Sequence, residues 1–113
     1  MAADHKAFAK ELDGRAANLF KAAPDSMRAF RGLMESAGKD GALDGRTKEL
    51  MALAIAIAVH CEGCINYHVR EAIRKGATRE QVAETAMVAL EMGGGPASVY
   101  GAQALEAFDQ LSA

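Results

Sequence analysis

Between Leu50 and Val59 the chain runs through ten consecutive apolar residues with no charge and no helix breaker. A segment apolar on every side has to be enclosed, either by other elements of a fold or by lipid. Ten residues is about half of the roughly 20 that a helix needs to cross a bilayer. The segment therefore predicts a helix from about Gly45 to Val59 at the centre of the fold. Asp44 stands where its carboxylate can cap the first unpaired N–H groups.

The remaining elements must surround that helix, and the composition says they are helices too. The apolar half of the 113 residues is mostly Ala, Leu and Met, with no Trp, two Tyr and two Pro. Ala, Leu and Met lose little rotamer freedom in a helix, whereas strands favour β-branched and aromatic residues. An all-α, compact single domain of five to six helices over residues 1–113 follows.

Local signals place the other helices. One spans roughly Asp4 to Lys21, with Phe8, Leu12, Leu19 and Phe20 on its apolar side. Pro24 opens the next, followed by Met27, Phe30, Leu33 and Met34 at helical spacing and closed by Gly38–Gly41. A helix starting near Cys61–Cys64 ends before Gly76, a C-terminal cap glycine. Thr78, Arg79, Glu80 and Gln81 form a capping-box pattern for a helix reaching about Met92. Gly93–Gly95 break the chain, and Pro96 opens a last helix carrying Val99, Leu105, Phe108 and Leu111. The glycine run has no preceding strand, and Pro96 removes one amide donor, so it reads as a break and not a phosphate cradle. Six Met and many Ala suggest more apolar surface than a monomer buries, and a homo-oligomer is expected, with Met in core or interface.

Charge excludes several partners. Thirteen basic and 15 acidic residues are interleaved, giving −2. No basic block exists to meet nucleic acid or anionic lipid. The first residues carry charge where a signal peptide has its apolar stretch, so the cytoplasm is the expected compartment. There, paired cysteines are more often catalytic or metal-binding than structural.

The chemistry-bearing segment is His60 to His68, which holds Cys61, Cys64 and His68. Two cysteines three apart can close a disulfide. At a helix N-terminus, they also meet the positive end of the helix dipole, which stabilises thiolate over thiol. At ~100° per residue, Cys61, Cys64 and His68 fall within about 60° of one helix face. Cys64 and His68 are i,i+4 neighbours, so the imidazole can take or return the Cys64 proton. A base needs an orienting carboxylate, and Glu49 is the candidate. Along a straight helix it would sit ~18 Å from Cys61. A chain reversal near His60–Gly63 would instead lay the two helices antiparallel and return Glu49 to His68. Competing readings are a structural thiol pair and a zinc site of Cys61, Cys64, His68 and His60, although the spacing is not a zinc-ribbon pattern. Haem attachment is excluded, since Ile65 and not His follows Cys64. His60 points away from the pair unless the helix bends there, and Tyr67 and Tyr100 read as packing or interface residues.

Glu49, the Cys61–Cys64 pair and His68 on a Leu/Ala/Ile-rich helical background resemble the alkylhydroperoxidase D-like branch of the carboxymuconolactone decarboxylase family. The resemblance covers about residues 43–92. It implies an all-α fold assembling into trimers or hexamers, and a dithiol that reduces hydroperoxides without metal or other cofactor. In that pattern Cys64 attacks the peroxide, Cys61 closes the disulfide, and His68 and Glu49 relay protons. A partner dithiol of lipoyl or thioredoxin type would reopen the disulfide. Alternatives are a disulfide oxidoreductase or a redox-sensing oligomer without strong peroxidase activity. The decarboxylase branch lacks the cysteine pair and matches poorly.

Overall fold

In a computed structural model, which describes residues 4–113, the chain forms six helices: α1 (His5–Ala22), α2 (Pro24–Gly38), α3 (Gly45–Ala58), α4 (Glu62–Arg74), α5 (Arg79–Gly93) and α6 (Gly95–Leu111). The boundaries follow local capping chemistry. Asp4 and Asp44 accept from the N–H groups of Ala7 and Thr47 at 3.0 and 2.7 Å. Thr78 and Gln81 complete a reciprocal capping box, and Pro24 takes the first turn of α2. Gly76 ends α4 with φ +86°, a backbone region that side chains with a Cβ disfavour.

The core lies among α3, α4, α5 and α6. α5 packs along α6, α3 against both α4 and α5, and α4 against α6. Leu53 and Ile57 of α3 meet Ile65 and Val69 of α4 and Val82 of α5, all essentially inaccessible to solvent. Each contributes about 1.5–3 kcal/mol by leaving water. A surface ion pair such as Arg79–Asp109 stays open to water and salt and adds little beside this, so apolar burial dominates. The α5–α6 seam uses small residues: a Cβ built on Gly101 would lie 3.2 Å from that of Ala86. The radius of gyration, 14.0 Å, is close to the ~13 Å expected of one domain this long. No helix among the described residues is long and apolar enough to cross a membrane.

One expectation needs correction. α3 is central on one side only: Met51, Ile55 and Val59, spaced by four, form an exposed stripe. α2 has no buried residue, and Phe30 and Leu33 are more than half exposed, as is Leu19 of α1. Of the two places expected for methionine, core or interface, the described ones are not in the core: Met27 and Met34 are half-buried, and Met51, Met87 and Met92 are exposed. Met1 lies outside the described residues. The physical reason is shared. An apolar stripe shows what a helix can bury, not whether its own chain supplies the neighbour.

Polar contacts join buried Ala9 and half-buried Leu12 in docking α1. His5 is buried, its Nε2 is 2.8 Å from Glu106 Oε1, and its N–H donates to Gln110. Asn66 of α4, also buried, donates from Nδ2 to the His5 carbonyl at 3.0 Å. Its Oδ1 accepts from Arg70 Nε, and Arg70 in turn reaches both oxygens of Asp13. Asn66→Ala strips the buried His5 carbonyl of its donor and should cost about 1–3 kcal/mol. Urea unfolding at fixed redox state would measure this; an unchanged midpoint would show that α1 docks by other contacts.

Candidate active site

The site is built where α3 ends and α4 begins. α3 closes at Ala58, and His60 takes a left-handed conformation with φ +61°, turning the chain back on itself. α4 then runs antiparallel to α3. The reversal returns Glu49, in the second turn of α3, to the side of His68. His68 Nδ1 and Glu49 Oε2 are 2.8 Å apart, with His68 23% and Glu49 15% exposed. A carboxylate oxygen accepts, so the hydrogen bond orients the imidazole with Nδ1 as its donor and turns Nε2 away from Glu49.

Cys61 and Cys64 are joined as a disulfide, with Cα atoms 5.2 Å apart. Cys61 is the N-cap of α4, where Ser or Asp is usual, and its sulfur accepts the Cys64 N–H at 3.2 Å. Both sulfurs therefore belong to the first turn of α4, at the positive end of its dipole. Once reduced, each would be favoured as thiolate there. Cys64 is exposed and Cys61 half-buried. Leu12 of α1 closes over this turn, since a Cβ on Gly63 would meet its Cδ2 at 3.1 Å. His68 stands one helical turn after Cys64, the i,i+4 spacing at which side chains on one helix face are neighbours.

Beside the His68–Glu49 pair lies an open cleft of about 930 Å³. Met27, Phe30 and Met34 of α2 wall one side, and Tyr67, His68 and Glu49 the other. The lip from α2 could not be located from sequence, because nothing local to α2 says what it faces. Tyr67, expected to be a packing residue, is at this wall with its ring edge-on to His68 at 5.1 Å. Burial pushes its phenol above the ordinary value, helped by the negative charges of Glu71 and Glu49, so it is a neutral hydrogen-bond donor near neutrality. Glu71 is held below the usual carboxylate range by its hydrogen bond with Arg74. His60 is brought not to the sulfurs but onto Tyr100 of α6, with ring centroids 4.6 Å apart. Among the described residues, no three of His, Cys, Asp and Glu group as a metal ion would need.

Comparison with known proteins agrees with this architecture. The sequence profile of the Carboxymuconolactone decarboxylase family matches residues 24–107. A protein of Cupriavidus necator described as uncharacterized is 42% identical over 113 residues, covering 100% of both chains. A carboxymuconolactone decarboxylase family protein from Legionella pneumophila superposes with a TM-score of 0.94 at 42% identity, covering 99% of this chain and 100% of that one. A family protein from Thermotoga maritima, described as a candidate for antioxidative response, gives a TM-score of 0.70 at 30% identity, covering 76% of this chain and 89% of the other. With three-quarters of its length matched by the family profile and a full-length relative at this identity, the chain belongs to the carboxymuconolactone decarboxylase family.

Proposed function

We propose that the protein is a thiol-dependent peroxidase of the alkylhydroperoxidase D-like kind, cycling between a Cys61–Cys64 dithiol and disulfide. The observation that carries this reading is the relay within one helical turn of the pair: Glu49 on His68 Nδ1 at 2.8 Å, His68 one turn beyond Cys64, and Cys64 exposed in the first turn of α4. In the first step the Cys64 thiolate attacks the terminal oxygen of a hydroperoxide. The O–O bond breaks, the alkoxide leaves with a proton from His68 as an alcohol, and Cys64 becomes a sulfenic acid. The Cys61 thiolate then attacks the Cys64 sulfur. The S–O bond breaks, hydroxide leaves as water with the proton released by the Cys61 thiol, and the disulfide closes. A partner dithiol, of lipoyl or thioredoxin type, attacks the exposed Cys64 sulfur and is itself oxidised as both protein thiols return. Two electrons pass from the partner to the peroxide in each cycle.

The antioxidative description of the Thermotoga maritima relative supports this direction. Disulfide exchange uses the same exposed sulfur, and the two activities separate by substrate: one consumes hydroperoxide, the other a small disulfide. Self-association is part of the same proposal, supported by the exposed Met51–Ile55–Val59 stripe. Sedimentation should give an assembly larger than a monomer, and Ile55→Glu should shift it toward monomer; a wild-type protein that sediments as a monomer would remove this element.

The peroxidase reading is tested in a single turnover. Fully reduced protein takes one equivalent of an organic hydroperoxide, and free thiols are counted by mass. Both thiols should disappear together as an intramolecular disulfide. His68→Gln should slow this by about 10²-fold or more, and Glu49→Gln by a smaller factor, as loss of a general acid–base group does. Thiols reacting no faster than free cysteine would eliminate the peroxidase.

A further inference from the structure

Two helices of this fold end in the same hydrogen-bonded motif, built from different residues. At the end of α4, Ala77 N–H donates to Ala72 O at 2.9 Å and Gly76 N–H to Ile73 O at 3.0 Å, with Gly76 in the left-handed region. At the end of α3, Cys61 N–H donates to Ala56 O at 3.0 Å and His60 N–H to Ile57 O at 3.2 Å, with His60 in the left-handed region. Both are Schellman caps, which ordinarily place glycine at the left-handed residue because a Cβ crowds the adjacent carbonyl there. His60 is the one described residue other than glycine with positive φ. A non-glycine held there must be held by something.

The holding contact is Tyr100. The His60 ring lies flat on the Tyr100 ring, 4.6 Å between centroids and 4° from parallel, which ties the α3–α4 turn to α6. Stacking at this distance is favourable and independent of hydrogen bonding. Cys61 follows His60 directly. Its N–H closes the cap on α3 while its sulfur caps α4, so the conformation of His60 sets the direction in which the Cys61 side chain leaves the backbone. We propose that His60 and Tyr100 are positioning residues for Cys61: their stack holds the left-handed cap, and the cap keeps the Cys61 sulfur within bonding reach of Cys64. A dithiol so preorganised closes more readily than one on a mobile turn. The inference rests on the dithiol cycle above, but it is tested by an equilibrium that needs no peroxide.

The exchange of the Cys61–Cys64 disulfide with dithiothreitol moves two electrons, giving protein dithiol and oxidised dithiothreitol. Wild type, Tyr100→Ala, Tyr100→Phe, His60→Val, His60→Gly and the double variant His60→Gly/Tyr100→Ala are equilibrated across a dithiothreitol redox series, acid-quenched and counted for free thiols. Tyr100→Ala and His60→Val should each lower the closure equilibrium by about ten-fold, raising the potential by ~30 mV. Tyr100→Phe keeps a stacking ring, and His60→Gly adopts the left-handed cap unaided, so both should stay at the wild-type value. In the double variant the Tyr100 effect should vanish, because glycine no longer needs the stack. The proposal is overturned if the Tyr100→Ala shift persists in full beside His60→Gly. It is equally overturned if His60→Val, a substitution at an exposed position, leaves the potential unchanged. Absence of peroxidase activity in the wild type would leave these readouts intact.

Discussion

The antiparallel packing of α4 on α3 is the arrangement on which the rest of the molecule depends. Leu53 and Ile57 on one helix, and Ile65 and Val69 on the other, leave water together, and that burial fixes the register of the pair. The register then decides the chemistry. Glu49 and His68 are nineteen positions apart in sequence, yet they meet at hydrogen-bond distance because the turn between them takes only three residues, Val59 to Cys61. A longer connection would let α4 slide or rotate, and a one-residue rotation of ~100° would carry His68 away from Glu49. Core packing and proton relay are two faces of the same helix pair.

The division of labour within the turn follows from where water can reach. Cys64 is exposed to solvent, while the His68–Glu49 pair is mostly screened. A hydrogen bond to a carboxylate is stronger when partly shielded, and it holds the imidazole in one tautomer. In the proposed cycle, Glu49 acts through His68 rather than on the sulfur. The cleft beside the pair gives it an apolar wall from α2 and a polar one from Tyr67 and Glu71.

Much of this was legible in the sequence where the signal is local. Asp44, Thr78 with Gln81, and Gly76 act on the backbone within three or four residues, so their roles could be read directly. The Glu49–His68 approach was legible for a different reason: helix length is arithmetic, and only a reversal near His60–Gly63 returns one residue to the other. The misses are non-local. The apolar run of α3 was read as enclosed all round, but Met51, Ile55 and Val59 are exposed, as are Leu19, Phe30 and Leu33 on α1 and α2. His5 and Asn66 join three helices through polar atoms, and an isolated His or Asn in a helical register carries no sign of that. His60 left open only whether the helix bends; the partner that lets it bend, Tyr100, is forty positions away on α6.

The central claim is that Cys64 is the residue that meets peroxide, and trapping its sulfenic acid tests it most directly. In Cys61→Ser the resolving thiol is gone, so a sulfenic acid formed at position 64 cannot close a disulfide within the chain. The reduced variant would be mixed with one equivalent of an organic hydroperoxide and a dimedone-type nucleophile, then digested and mapped by mass. The account predicts one dimedone adduct, on Cys64, formed much more slowly when His68→Gln is added. No adduct at Cys64, or adduct formation at the same rate without His68, would contradict it.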